Sequence, residues 1–400
     1  MLVIGLAMRA PFISVSPILT QIQAEYQQSN VSASLLTTLP VLCFGVLALL
    51  APRLAQRFGV DRTLLAALVF IAVGVLIRSI FGSGGLFTGT VVLGTAIAVT
   101  NVLLPGLIKR DWSHLAGPLM SIYSVAMALG PALAALLAVP LLDLLAGNVR
   151  LALLAWIVSP LAAVLMFQVL RSRMAEGQVT AGPVAATAVS GQLLREPLAW
   201  QVSAFLGFQS LLFYAISAWL PTMLVQLGLT PVAAGVGFSA FNVASIAGSI
   251  AGPLLATRFR QQRGLALTGA ALWAVGLGGL LFLPQAGLFV WVVVAGLASG
   301  LSFSLALTLI VLRAADASGA ARLSGMAQAV GYMLAAAGPF LLGWLLEVSG
   351  GPRLPLTVLL GIVPLLALAG LGAGRPLTVL PGTAVTAERQ AVPDTQETEI

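Results

Sequence analysis

Twelve times along its 400 residues the chain runs for about twenty positions with hardly a charged side chain. The runs cover roughly 2–22, 33–56, 63–81, 86–108, 117–141, 149–170, 199–225, 231–257, 264–283, 286–312, 322–346 and 354–374, numbered here as spans 1 to 12. About 20 apolar residues in a helix cross the hydrocarbon of a bilayer, and a backbone in lipid must satisfy its own hydrogen bonds. The runs therefore predict an all-α membrane protein of twelve transmembrane helices. Composition agrees, with 59% apolar and 8% charged residues, where a soluble domain carries about a quarter charged. Span 1 does not read as a cleaved signal, because Arg9 interrupts it and no small-residue cleavage site follows. The chain opens directly on apolar residues, which leaves room for a short cytoplasmic leader ahead of Met1.

Lys and Arg in the loops set the expected orientation. One side collects Arg53, Arg57, Arg62, Lys109, Arg110, Arg171, Arg173, Arg195, Arg258, Arg260, Arg263, Arg313, Arg322, Arg375 and Arg389, and the other only Arg78, Arg150 and Arg353. Both termini and the central linker are thus expected in the cytoplasm. Residues 172–197 are polar, with Gly177, Gly182, Pro183 and Pro197, and separate six spans from six. Residues 377–400 carry four carboxylates and few apolar groups, and read as a disordered tail.

The same residues exclude several chemistries. Cys43 and His114 are the single cysteine and histidine, so the sequence offers no disulfide framework, no Cys/His zinc site and no His-based triad within the spans. Serine strings such as Leu297-Ala-Ser-Gly lack a base in reach, so an enzyme is not expected. No cofactor or metal is called for. The net charge of +7 resides in short loops between apolar stretches, which is membrane anchoring rather than a nucleic-acid surface.

The halves are alike. Pro52–Arg62 lines up with Pro253–Arg263, with Pro, Leu, Ala, Arg, Phe and the last Arg in register, and Gly130-Pro131 in span 5 matches Gly338-Pro339 in span 11. Two parallel six-span repeats follow, residues 1–171 and 198–376, joined by the 172–197 linker and followed by the 377–400 tail. A channel or scaffold has no use for such a repeat.

This arrangement resembles the major facilitator superfamily. The loop after span 2 is similar to that superfamily's signature at Arg57, Gly59 and Arg62, whereas Pro52 stands where a Gly is expected and Gln56 where an Asp is. The resemblance implies a cytoplasmic gate of Arg57, Gly59 and Arg62, with Arg258 in the second copy, and puts its Asp-based contact in doubt. A closer likeness is carried by Ser14-Val-Ser-Pro-Ile-Leu, Asn101-Val-Leu-Leu-Pro-Gly-Leu-Ile-Lys-Arg-Asp, Gly207-Phe-Gln-Ser-Leu-Leu-Phe-Tyr-Ala-Ile-Ser-Ala-Trp-Leu-Pro and Gly325-Met-Ala-Gln-Ala-Val-Gly-Tyr. Together they resemble the bacterial cyanate and 2-nitroimidazole transporter family over residues 1–375, which implies a carrier for small molecules in the bacterial inner membrane without naming the cargo.

Arg9 is the most informative residue. It lies about halfway along span 1, where a guanidinium costs roughly 2.5–3.5 kcal/mol on insertion scales. No carboxylate sits at that depth in any span, since Glu25, Asp143 and Glu347 are near the other ends and Asp61, Asp111 and Asp316 are cytoplasmic. The cargo itself is then a candidate partner, against bonds to backbone carbonyls or headgroups. Arg9, Ser16 and Gln23 fall at i, i+7 and i+14, with Phe12 between them. Gln209, Phe213 and Tyr214 in span 7, Asn242 in span 8, Gln328 and Tyr332 in span 11 and Asn101 in span 4 complete the candidate substrate-binding set, with helix-to-helix hydrogen bonding as the alternative for the amides. Arg78, one turn from the end of span 3, is expected to snorkel to the headgroups.

The expected function is secondary transport by alternating access of a small anion or compact polar or nitro compound, held at the midplane by Arg9. A multidrug-type exporter is the alternative. Spans without an acid or histidine argue for uniport or exchange over proton symport. The expected partners are a small-molecule substrate and membrane lipid, with a monomeric chain.

Overall fold

The computed structural model describes residues 2–47, 50–112, 116–174, 193–256, 258–315 and 317–379. Span 1 is built from α1 (Leu2–Ile13), the short turn Ser16–Ile18 and α2 (Leu19–Tyr26). Then come α3 (Asn30–Leu47), α4 (Ala51–Phe58), α5 (Val60–Ile80), α6 (Gly82–Asp111), α7 (Ala116–Leu144), α8 (Val149–Ala155) and α9 (Val158–Met174). The second half holds α10 (Pro197–Gln226), α11 (Pro231–Ala256), α12 (Arg263–Phe282), α13 (Leu288–Leu312), α14 (Ala317–Ser349) and α15 (Arg353–Ala373). Among the described residues eleven helices are long and apolar enough to cross a membrane, α1 with α2 and α8 with α9 each counting as one, and Leu129–Leu144 of α7 is a shorter apolar stretch. Large apolar side chains such as Leu165, Val169 and Val243 face outward, as a lipid surface requires.

Three expectations change. Span 2 ends at Leu47 rather than 56, and Ala51–Phe58 forms a separate helix, because Arg53, Gln56 and Arg57 make its surface too polar to continue an apolar span. Span 1 is not one continuous helix. Ser14 Oγ donates to the Pro11 carbonyl at 3.0 Å and Pro17 brings no N–H to the ladder, so the chain leaves the α-helix between Ile13 and Leu19. The face shared by Arg9, Ser16 and Gln23 is thereby lost, and Gln23 instead bonds Asn30 at 2.8 Å. The start of the expected tail is ordered, since Val379 is buried and its N–H donates to the Arg313 carbonyl at 2.7 Å. The rest of the tail, most of the linker, His114 and Asp316 lie outside the described residues.

The repeat appears in the packing. A Cβ on Gly130 in α7 would sit 3.0 Å from the Cβ of Arg9, and a Cβ on Gly338 in α14 would sit 3.2 Å from the Cβ of Ala215 in α10. Each Gly-Pro pair thus lets the fifth helix of its half press against the first. Loops at the basic end repeat too. In the first half Arg110 and Arg171 both pair with Asp61, and Arg110 also meets Asp111 at 2.5 Å. In the second half Arg313 bonds Gln262, in register with Asp61, and donates to the Ala373 carbonyl at 2.9 Å. The same three helix ends are stapled twice by arginine, once onto carboxylates and once onto neutral acceptors.

The halves meet where α3 packs along α14 and α7 along α11. At the end away from the basic loops, the Val31 N–H donates to Glu347 Oε2 at 3.0 Å. That amide belongs to the first turn of α3, which has no intrahelical acceptor, and the helix dipole favours a carboxylate there.

Candidate functional site

Arg9 lies in α1 just before the break in span 1, and its side chain is buried. Its Nη1 donates to the Tyr214 hydroxyl across the two halves at 3.3 Å, a long bond, while its Nε is buried without a partner. Among the described residues Arg9 makes no ion pair. A guanidinium carries five donors, and among the described residues the Tyr214 hydroxyl is the one acceptor that Arg9 reaches.

Aromatic rings close around it. Arg9 Cζ stands 5.9 Å from the centre of Phe44, within the range of a cation–π contact. Phe44 packs edge-on against Phe12 at 6.0 Å and against Tyr332 at 5.8 Å, and Tyr214 lies 6.3 Å from both Phe44 and Tyr332. Phe213 extends the row, 5.0 Å from Tyr214 and 6.3 Å from Phe241. The cage draws on α1, α3, α10 and α14, so both halves contribute. Arg9, Phe12, Phe213, Tyr214 and Tyr332 are therefore brought together as the sequence suggested.

The amides behave differently. Asn242 donates to the Phe238 carbonyl of its own helix at 2.8 Å, and Gln328 to Ser324 of its own helix at 2.9 Å. These bonds stay within one helix, so they are neither cargo contacts nor the helix-to-helix bonds of the alternative; next to Asn242, it is Phe241 that joins the row. Asn101 accepts from the Tyr123 hydroxyl at 3.0 Å, and that hydroxyl lies 3.9 Å from the sulfur of Met8, the neighbour of Arg9. Gln209 is buried one turn from Phe213; its Nε2 has a 3.5 Å contact with Ser210 and its Oε1 has no partner. Sequence reasoning missed Phe44 and Tyr123. Phe44 is the single aromatic residue of span 2, and the chain has only four tyrosines, which is the signal that could have found them.

Arg78 is corrected. It does not reach a headgroup layer: it is 1% exposed, and its Nη1 donates to the Pro11 carbonyl at 2.9 Å. At the basic end the expected gate residues are dispersed. Arg57 stacks on Phe58 at 5.3 Å, and Arg57, Arg62 and Arg258 are exposed. Gly59 takes φ +84°, the left-handed region that lets the chain turn from α4 into α5. Among the described residues the ion pairs at this end belong instead to Asp61, Arg110, Asp111 and Arg171, all within the first half.

Comparison with known proteins agrees with this frame. A model of the Major Facilitator Superfamily matches residues 1–320. The chain is 40% identical over 374 residues to the 2-nitroimidazole transporter of Escherichia coli (strain K12), covering 94% of each sequence. It is 28% identical over 355 residues to the cyanate transport protein CynX of the same organism, covering 88% of this chain and 90% of that one. The crystal structure of a D-xylose-proton symporter superposes with a TM-score of 0.70 at 15% identity, covering 94% of this chain and 96% of the other, and so shares the fold.

Proposed function

This chain belongs to the major facilitator superfamily, a family of transporters and not of enzymes, and on that premise we propose that it moves a small anion or a compact polar or nitro compound bound to Arg9 between its two halves. The observation that carries this reading is the buried guanidinium with no acidic partner among the described residues and an unpartnered Nε. A charge in such surroundings is stabilised when a ligand supplies the countercharge and the missing acceptors. The rings of Phe12, Phe44 and Tyr332 offer flat apolar walls beside that cation, and the open amide end of Gln209 a further polar contact. The relatives named for 2-nitroimidazole and cyanate act on small, compact solutes, which supports the same size class.

Transport then follows from who owns the site. Arg9, Phe12 and Phe44 belong to one half, Tyr214 and Tyr332 to the other, so cargo between them feels both. Rocking of the halves about it would expose the site to each side in turn. The basic end faces the cytoplasm in this reading, the chain sits in the bacterial inner membrane, and it works as a monomer by uniport or exchange. Export of drug-like compounds is the weaker reading, because a broad apolar pocket would not need a buried guanidinium. A thermal-shift screen of cyanate, 2-nitroimidazole and benzoate on wild type and Arg9→Ala tests the proposal. Selective stabilisation of the wild type supports it; equal stabilisation of both forms removes Arg9 as the anchor.

A further inference from the structure

We propose that Arg78 is a positioning residue for the Arg9 site, holding the inner half of span 1 in place through the carbonyl of Pro11; this rests on the reading of Arg9 as the cargo anchor. The geometry is specific. Pro11 stands between Arg9 and Phe12, two residues of the cage, and its carbonyl belongs to the last turn of α1. The Ala10 carbonyl still accepts from the Ser14 N–H, but the chain departs from the helix after Ile13, and among the described residues the Pro11 carbonyl receives no backbone N–H. Arg78 Nη1 at 2.9 Å and Ser14 Oγ at 3.0 Å supply the missing donors.

The choice of arginine has physical consequences. A cation at a helix C-terminus is favoured by the dipole, and burial strengthens that attraction. Arg78 comes from α5 and Gly130, which abuts the Arg9 Cβ, from α7, so two other helices of the same half meet the end of α1. The end of α1 is therefore held by both Gly130 and Arg78, and the Arg9 side chain has a defined origin from which to reach Tyr214. Without Arg78 the freed carbonyl would have to find other donors, and the segment from Phe12 to Pro17 would loosen. Its charge, like that of Arg9, meets no carboxylate among the described residues, so both guanidinium groups also make the interior of the first half favourable to an anion.

The test compares Arg78→Lys, Arg78→Gln and Arg78→Met in purified protein, each with and without Arg9→Met. One readout is amide hydrogen exchange across Phe12–Leu19, and the other is the dissociation constant for cyanate and 2-nitroimidazole. Arg78→Met should speed exchange in that segment at least tenfold and weaken probe binding about tenfold. Arg78→Lys, which keeps a charged donor, should restore most of both. In the Arg9→Met background the further loss of affinity from Arg78→Met should vanish, while the faster exchange remains. Unchanged exchange in folded Arg78→Met or Arg78→Gln overturns the proposal, as does a loss of affinity that persists without Arg9. If neither probe binds the wild type, or if Arg9→Met alone leaves binding intact, the reading of Arg9 fails, and exchange still decides whether Arg78 holds span 1.

Discussion

Arg9 Nη1 and the Tyr214 hydroxyl are joined at 3.3 Å, and this bond ties the first helix of one half to the first helix of the other beneath a ring of aromatic side chains. It is long for a bond to a charged donor, which normally closes to 2.7–2.9 Å. Tyr214 is thus a loose partner, and an anion can join it on the guanidinium while accepting a bond from the tyrosine hydroxyl. Tyr214→Phe should cost roughly 0.5–1.5 kcal/mol of the interaction and raise the dissociation constant for an anionic probe a few-fold, measured by titration. A loss of all binding would mean that Tyr214, and not Arg9, is the anchor.

Gly130 controls where Arg9 starts. A methyl added there would sit 3.0 Å from the Arg9 Cβ and 3.4 Å from the Ala10 nitrogen, so α1 or α7 must give way. Gly130→Val should lower stability by about 1–3 kcal/mol, as overpacking does, and weaken probe binding more than its stability loss explains. Melting temperature and affinity measured together check this.

Glu347 caps the first turn of α3 from the opposite half. Glu347→Gln keeps the shape and removes the charge, and should favour opening of this end. Spin labels on cysteines replacing Gln27 and Gln226, with Cys43 replaced by alanine, should show a larger population at long distance in the Glu347→Gln variant. An unchanged distance distribution would assign the carboxylate a local role only.

Asp61 gathers Arg110 and Arg171 at the basic end, while Gln262 occupies the matching place in the second half without a formal charge. Asp61→Asn should cost about 1 kcal/mol at low salt, since the Asp61 side chain is 40% exposed and screened. Its effect should shrink at high salt, whereas Gln262→Ala should be insensitive to salt; thermal denaturation at two ionic strengths compares them.

The frame was legible because span length and apolarity are properties of contiguous residues. So was the repeat, carried by the Pro52–Arg62 and Pro253–Arg263 strings and the Gly-Pro pairs. The break in span 1 was not, because apolar residues continue through it and proline alone marks no break here: Pro40, Pro131, Pro221 and Pro339 all stay inside helices. Half of the site followed from polar residues at helical spacing, which found Arg9 and the tyrosines of spans 7 and 11. Spacing cannot say whether an amide turns to its own helix, as Asn242 and Gln328 do, or toward a neighbour. Nor can it foresee that Arg78 meets the carbonyl of Pro11, 67 residues earlier, left open by the break in span 1.

The central claim is that cargo neutralises Arg9, and the most direct test is the equilibrium affinity of purified wild type and Arg9→Met for cyanate. A bond to a charged group contributes about 1.5–3 kcal/mol, so the account predicts a dissociation constant raised roughly 10- to 150-fold in a variant that still melts cooperatively. A folded Arg9→Met protein that binds cyanate as tightly as the wild type would contradict it.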